Sequence, residues 1–174
     1  EQGTRKYAFG DLLCQTLGFV SSDGVGQTGL ETYYDKYLAG IDGEVLTETD
    51  LVGKELTDGA MSYIPAVDGM TLRLTIDVEI QAVVEDVLQL ALLNQGAQST
   101  KCIVMDVNSG EILAMGAQPG GDLNNLPRDD VSTLMKYSKN TLLTDVYEPG
   151  STFKILTAAA CLNEYELGNP AAFS

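Results

Sequence analysis

An α+β protein in two unequal parts is what the sequence predicts, and three observations predict it. A stretch rich in Gly, Thr and Asp gives way near residue 68 to dense apolar periodicity. Strand-like runs on both sides of a long helical stripe then dominate the second region, and a last apolar run without breakers begins after Pro149-Gly150. The turn-rich segment "IPAVDGM", Ile64 to Met70, places the boundary near Pro65, giving regions 1–68 and 69–174.

Within the first region, Leu30, Tyr33, Tyr34, Tyr37 and Leu38 recur at the spacing of one helical face, predicting a short amphipathic helix that stops at Gly40. The tyrosines are read as packing residues rather than a binding cage. Glu31 and Asp35, four apart on the same helix, are read as a solvated face rather than an acid–base pair. "GIDGEVLTE" then reads as a turn entering a strand.

In the second region Leu72, Leu74 and Ile76 alternate as in a half-buried strand. Asp77 is placed to cap a helix whose stripe is Ile80, Val83, Val84, Val87, Leu88 and Ala91, ending around Asn94 to Gly96. Two β-prone runs, Cys102 to Val107 and Glu111 to Ala117, flank Asn108-Ser109-Gly110, the composition of a hairpin turn. Residues Gln118 to Asp130 read as a loop and Val131 to Lys139 as a short helix. The run from Ser151 to Tyr165 is apolar all the way round, which predicts a helix buried on every side. The rest of the chain offers too little cover for it, so further structure is expected downstream.

Composition narrows the function classes. With 44% hydrophobic and 20% charged residues in 174, the chain can fold around a core. A formal net charge of −15 opposes nucleic acid and anionic lipid as partners. The absence of histidine excludes imidazole metal sites and a Ser-His-Asp triad, and no cofactor or metal is expected. Cys102 and Cys161 lie in apolar runs and read as small buried hydrophobes. No run reaches the ~18 apolar residues of a membrane span, and a start at Glu1 is read as an internal boundary that would hide any upstream anchor.

The chemistry concentrates in "YEPGSTFK", Tyr147 to Lys154. Ser151 and Lys154, three apart, share one face of a helix, so an amine can reach a hydroxyl. A serine at a helix N-terminus also lies near backbone N–H groups that stabilise an oxyanion. The amine can act as base only when neutral, and an apolar surround favours that state. A bare S-x-x-K arises by chance in about half of chains this long, so alone it would be read as a capping serine and a solvated lysine.

The motif is not alone. "EPGSTFK" resembles the active-site segment of the class B penicillin-binding proteins, whose signatures include S-x-x-K. "GLETYYDKYLAGIDG" from Gly29, "LTIDVEIQ" from Leu74, "VMDVNSGEILAM" from Val104, "DLNN" from Asp122, and Asn140 match the same family in order. Two departures are visible: Ala8 stands where proline is common after Arg-x-Tyr, and the loop around Gly120-Gly121 is short.

The resemblance implies a non-catalytic pedestal of the dimerisation type over 1–68. It is followed over 69–174 by the first, incomplete segment of a transpeptidase domain. It further implies a parent enzyme that cross-links peptidoglycan, forming an acyl-enzyme through Ser151 with Lys154 as base. Stem peptides and β-lactams would be its ligands, cell-wall synthesis proteins and a second copy its partners, and the outer face of the bacterial cell membrane its location. The family's later S-x-N and K-T/S-G motifs are expected beyond Ser174. The 174 residues alone are therefore expected to be inactive and to bury their uncovered apolar surface by associating with another copy or by rearranging. The alternatives are a non-catalytic dimerisation or protein-interaction module and a β-lactam sensor.

Overall fold

The computed structural model describes residues 4–47 and 61–166. The chain divides into two compact units, Glu1–Thr144 and Asp145–Ser174.

The first unit opens with α1 (Cys14–Leu17), α2 (Gly29–Tyr33) and α3 (Asp35–Leu38). The predicted single helix over Thr28 to Gly40 is two short ones, broken at Tyr34, and Gly40 ends the second with a positive φ of 71°. The inward face also differs from the expected one. Tyr33 is 75% exposed, whereas Glu31 is buried and forms a two-pronged pair with Arg5, Oε1 accepting from Nε at 2.7 Å and Oε2 from Nη2 at 2.5 Å. The solvated-face reading of Glu31 is therefore corrected: a carboxylate can be buried when a guanidinium matches both its oxygens. Asp35 accepts from the Gly26 N–H at 2.8 Å.

Strands β1 (Glu44–Thr47) and β2 (Met61–Ile64) form an antiparallel ribbon, pairing Glu44 with Ile64 and Val45 with Tyr63. The Ile41–Val67 bridge continues the same register three residues before the ladder. Gly43 is needed here because a Cβ would lie 2.7 Å from the Ala66 nitrogen.

The long helix α4 (Val78–Gln95) begins where the sequence indicates: the Asp77 carboxylate accepts from the N–H groups of Glu79 and Ile80, and Gly96 closes the helix in the left-handed region. It packs on the hairpin of β3 (Thr100–Met105) and β4 (Ile112–Gln118), whose turn is held by the Asp106 carboxylate accepting from Asn108 and Ser109 N–H. Val84, Leu88 and Ala114 form the core between helix and hairpin, with Ile80, Cys102 and Val104 against it.

Three expectations for this region change. Val83 and Val87 are exposed, and the inward face runs instead through Gln81, Val84 and Leu88. Gln81 is 1% exposed because its amide bonds to both backbone groups of Met115. Leu72 to Ile76 keeps the expected alternation of half-buried and exposed side chains but is not a strand. Thr75 Oγ1 in it donates to Ile112 O, and just beyond it Asp77 N–H donates to Leu113 O, the residue bulged out of the β3–β4 ladder. Cys102 and Cys161 are half-buried rather than buried, and all three cysteines are free thiols.

A second small core joins Cys14, Phe19 and Leu123, so the loop after β4 is pinned to α1. The predicted short helix is α5 (Val131–Ser138), capped by Asp130, and α6 (Thr141–Thr144) follows. The second unit holds a 3₁₀ turn, Gly150–Phe153, leading directly into α7 (Lys154–Glu166).

Candidate active-site segment

Pro149 and Gly150 aim the chain at the helix. Pro149 is helical, with φ −68° and ψ −26°, while Gly150 has φ 53°, a conformation that a side-chain-bearing residue rarely adopts. The Pro149 carbonyl then accepts from Thr152 twice, from N–H at 3.1 Å and Oγ1 at 2.6 Å, which fixes the turn holding Ser151. Lys154 closes that turn, its N–H donating to Ser151 O, and is the first residue of α7.

Ser151 is thus in the 3₁₀ turn at the head of a helix and Lys154 is one turn on. At about 3.0 residues per 3₁₀ turn, positions i and i+3 eclipse, so both residues project from one side of the segment. Among the described residues neither side chain has a hydrogen-bond or ion-pair partner, and both are exposed. The expectation of a helix buried on every side is corrected. Residues 151–160 are all exposed, with Phe153 54%, Ile155 73% and Leu156 60% accessible.

The tripeptide Ser138-Lys139-Asn140 has the spelling S-x-N, but its groups are spent locally. Ser138 Oγ donates to Leu134 O at 2.6 Å, Asn140 Oδ1 accepts from Leu142 N–H at 3.2 Å, and Asn140 Nδ2 lies 3.4 Å from Thr16 Oγ1. The first two bonds lie at the end of α5 and the start of α6, and the third reaches Thr16 in α1. They make the tripeptide a structural joint.

Polar groups that sequence reasoning missed hold the first unit together. Glu85 Oε1 accepts from Leu13 N–H and from Gln81 Nε2, both at 2.7 Å, tying the N-terminal segment to α4. Leu13 is there in the left-handed region, φ 60°. Burial pushes the Glu85 carboxyl above its ordinary range against the pull of those two donors. A buried amide or carboxylate in a helical stripe reads as a surface residue, so only the fold reveals these links.

The model of the penicillin-binding protein dimerisation domain matches residues 1–74, and that of the penicillin-binding protein transpeptidase domain matches residues 100–167. Stage V sporulation protein D of Bacillus subtilis is 38% identical over 167 residues, covering 96% of this chain and 25% of the relative. Peptidoglycan D,D-transpeptidase FtsI of Escherichia coli is 34% identical over 162 residues, 93% of this chain and 26% of the relative. Penicillin-binding protein 3 of Mycobacterium tuberculosis, solved in complex with ampicillin, superposes with a TM-score of 0.72 at 31% identity, over 91% of this chain and 31% of that one. The chain spans about a quarter of the length of the curated relatives it matches. It belongs to the class B penicillin-binding proteins, with a dimerisation-domain region followed by the start of a transpeptidase domain.

Proposed function

We propose that the protein carrying this chain is a serine D,D-transpeptidase of peptidoglycan synthesis, with Ser151 as nucleophile and Lys154 as its base. The observation that carries this reading is the "EPGSTFK" turn, which sets Ser151 at a helix head with Lys154 one turn away. Ser151 Oγ gives its proton to Lys154 Nζ and attacks the carbonyl carbon of the penultimate D-Ala of a stem peptide. The terminal D-Ala leaves, taking a proton at its amine. An amine of a second stem peptide then attacks the ester, forms the cross-link and frees Ser151.

For Lys154 to accept a proton it has to be covered from water, because only the neutral amine is a base. The family's S-x-N and K-T/S-G motifs are proposed to complete the site and supply that cover. β-Lactams are proposed to acylate the same serine, in keeping with the ampicillin complex of the M. tuberculosis relative. Regions 1–68 and 69–174 are proposed to act as pedestal and transpeptidase segment at the outer face of the cell membrane. No helix among the described residues is long and apolar enough to cross a membrane.

For the 174 residues on their own a second reading is favoured by the exposed α7: a folded interaction module without turnover. Losing even one oxyanion donor costs ~10²-fold or more in rate. The exposed Phe153, Ile155 and Leu156 favour burial against another apolar surface.

The test is release of D-alanine from a pentapeptide stem ending in D-Ala-D-Ala by the full-length protein. Ser151→Ala is expected to abolish release, and Lys154→Ala to lower it by ~10²-fold or more. Wild-type rates from Ser151→Ala would overturn the assignment, and turnover by the isolated 174 residues would overturn the module reading.

A further inference from the structure

In the turn around Ser151, Gly150 holds a backbone conformation that L-residues avoid. Its φ is 53°, between Pro149 at −68° and Ser151, whose φ is negative. Across these two central residues the Thr152 N–H donates to Pro149 O at 3.1 Å. A four-residue turn closed by that bond, with φ positive at its first central residue and negative at its second, has the φ pattern of type II′, which favours glycine at the first central position. The Thr152 hydroxyl reinforces the closure, donating to the same carbonyl at 2.6 Å. Space is not what selects glycine, because a Cβ added to Gly150 meets no atom within 4 Å among the described residues. The constraint falls on the backbone angle alone.

We infer that Gly150 is a positioning residue for acylation: the left-handed turn it permits sets how Ser151 enters the head of α7. The inference rests on Ser151 being the nucleophile, as proposed above. An L-residue at position 150 has an easier alternative. The same four residues can keep the Thr152-to-Pro149 bond in a type I turn, whose central residues both have negative φ. The bond and the helix survive that exchange, but the angles at the residue before Ser151 change and its side chain is re-aimed. Attack on a carbonyl carbon depends steeply on the approach of the nucleophile, so a change that leaves the fold intact still slows the reaction. A glycine needed only for folding would lower stability and leave the rate of the folded molecules unchanged.

The experiment is stopped-flow acylation of the full-length protein by a fluorescent penicillin. The dependence of rate on penicillin concentration separates the dissociation constant of the first complex from the rate constant of acylation. Gly150→Ala is expected to lower the rate constant about tenfold, with the dissociation constant within about twofold of wild type and the thermal midpoint little changed. Asparagine and valine are similar in size but differ in their tolerance of positive φ. Gly150→Asn should therefore retain more of the rate than Gly150→Ala, and Gly150→Val should lose the most. Gly110 in the hairpin turn has φ 78° and equally open surroundings, so Gly110→Ala imposes the same backbone strain away from Ser151 and should stay within about twofold of the wild-type rate.

Rates that follow side-chain size, with Gly150→Ala fastest and the Asn and Val variants alike, would overturn the inference. So would a Gly150→Ala rate constant within about twofold of wild type, or an equal loss in Gly110→Ala. Wild-type protein that forms no adduct on Ser151 would overturn the nucleophile assignment and this inference with it, whereas an adduct on Ser151 at rates indifferent to the residue at 150 would overturn this inference alone.

Discussion

Gln81→Ala should be among the most damaging single substitutions in the first unit, although the sequence presents Gln81 as a polar helix residue. Its Nε2 donates to Met115 O at 3.1 Å and its Oε1 accepts from Met115 N–H at 2.9 Å, so one side chain satisfies both main-chain groups of a residue 6% exposed. Alanine leaves both groups buried without a partner. At ~1–3 kcal/mol for each orphaned group, the loss is about 2–6 kcal/mol, a large share of the ~5–15 kcal/mol that holds a typical domain. The slightly better helix propensity of alanine does not offset this. Gln81→Glu should also destabilise at neutral pH, since a carboxylate has no proton for Met115 O and sets a second negative charge against Glu85. It should recover as acid protonates it. Urea unfolding followed by far-UV circular dichroism measures both, with Val83→Ala on the exposed side of α4 as a control expected to stay within ~0.5 kcal/mol. A Gln81→Ala protein within ~0.5 kcal/mol of wild type would refute the claim that this amide holds β4 to α4.

The same network predicts a pH dependence. Burial raises the folded Glu85 carboxyl above its ordinary 4.5, so the folded state holds this proton more tightly, and the Glu85 contribution to stability falls as pH rises from about 4.5 through the folded value. Glu85→Gln should remove that fall in urea titrations between pH 4 and 7, while an unchanged slope would exclude Glu85 as its source. Hydroxyls of Thr133 and Ser132, with their N–H groups, hold Asp130 at about 2. Its contribution is therefore complete above 3.8 and lost as pH falls through about 2, and Asp130→Ala should lose both that acid transition and helicity over 131–138. Burial pushes the Cys14 thiol up to about 11, so iodoacetamide at pH 8 should modify Cys102 and Cys161 well before Cys14, as peptide mass mapping would show. Equal labelling of all three would contradict the packing of Cys14.

Features coded over a few neighbouring residues were legible in the sequence. Asp77 and Gly96 bound α4, Asn108-Ser109-Gly110 turns the hairpin, and "EPGSTFK" marks the head of α7. What escaped depends on partners distant in the chain. Glu31 goes inward because Arg5 lies 26 residues earlier, and Gln81 because a main-chain edge 34 residues later accepts its amide. Periodicity scores both as polar and so turned the predicted stripes by a position or two. Leu72 to Ile76 has the alternation of a strand, but a strand also needs a neighbour's ladder, and alternation carries no information about that. The apolar run of α7 indicated a helix that needs cover without indicating what covers it.

The most direct test of the central claim is to locate the acyl group. Full-length protein incubated with fluorescent penicillin, digested and mapped by mass spectrometry should carry one adduct, on the peptide containing Ser151, and Ser151→Ala should carry none. An adduct on any other residue with Ser151 unmodified would contradict the account.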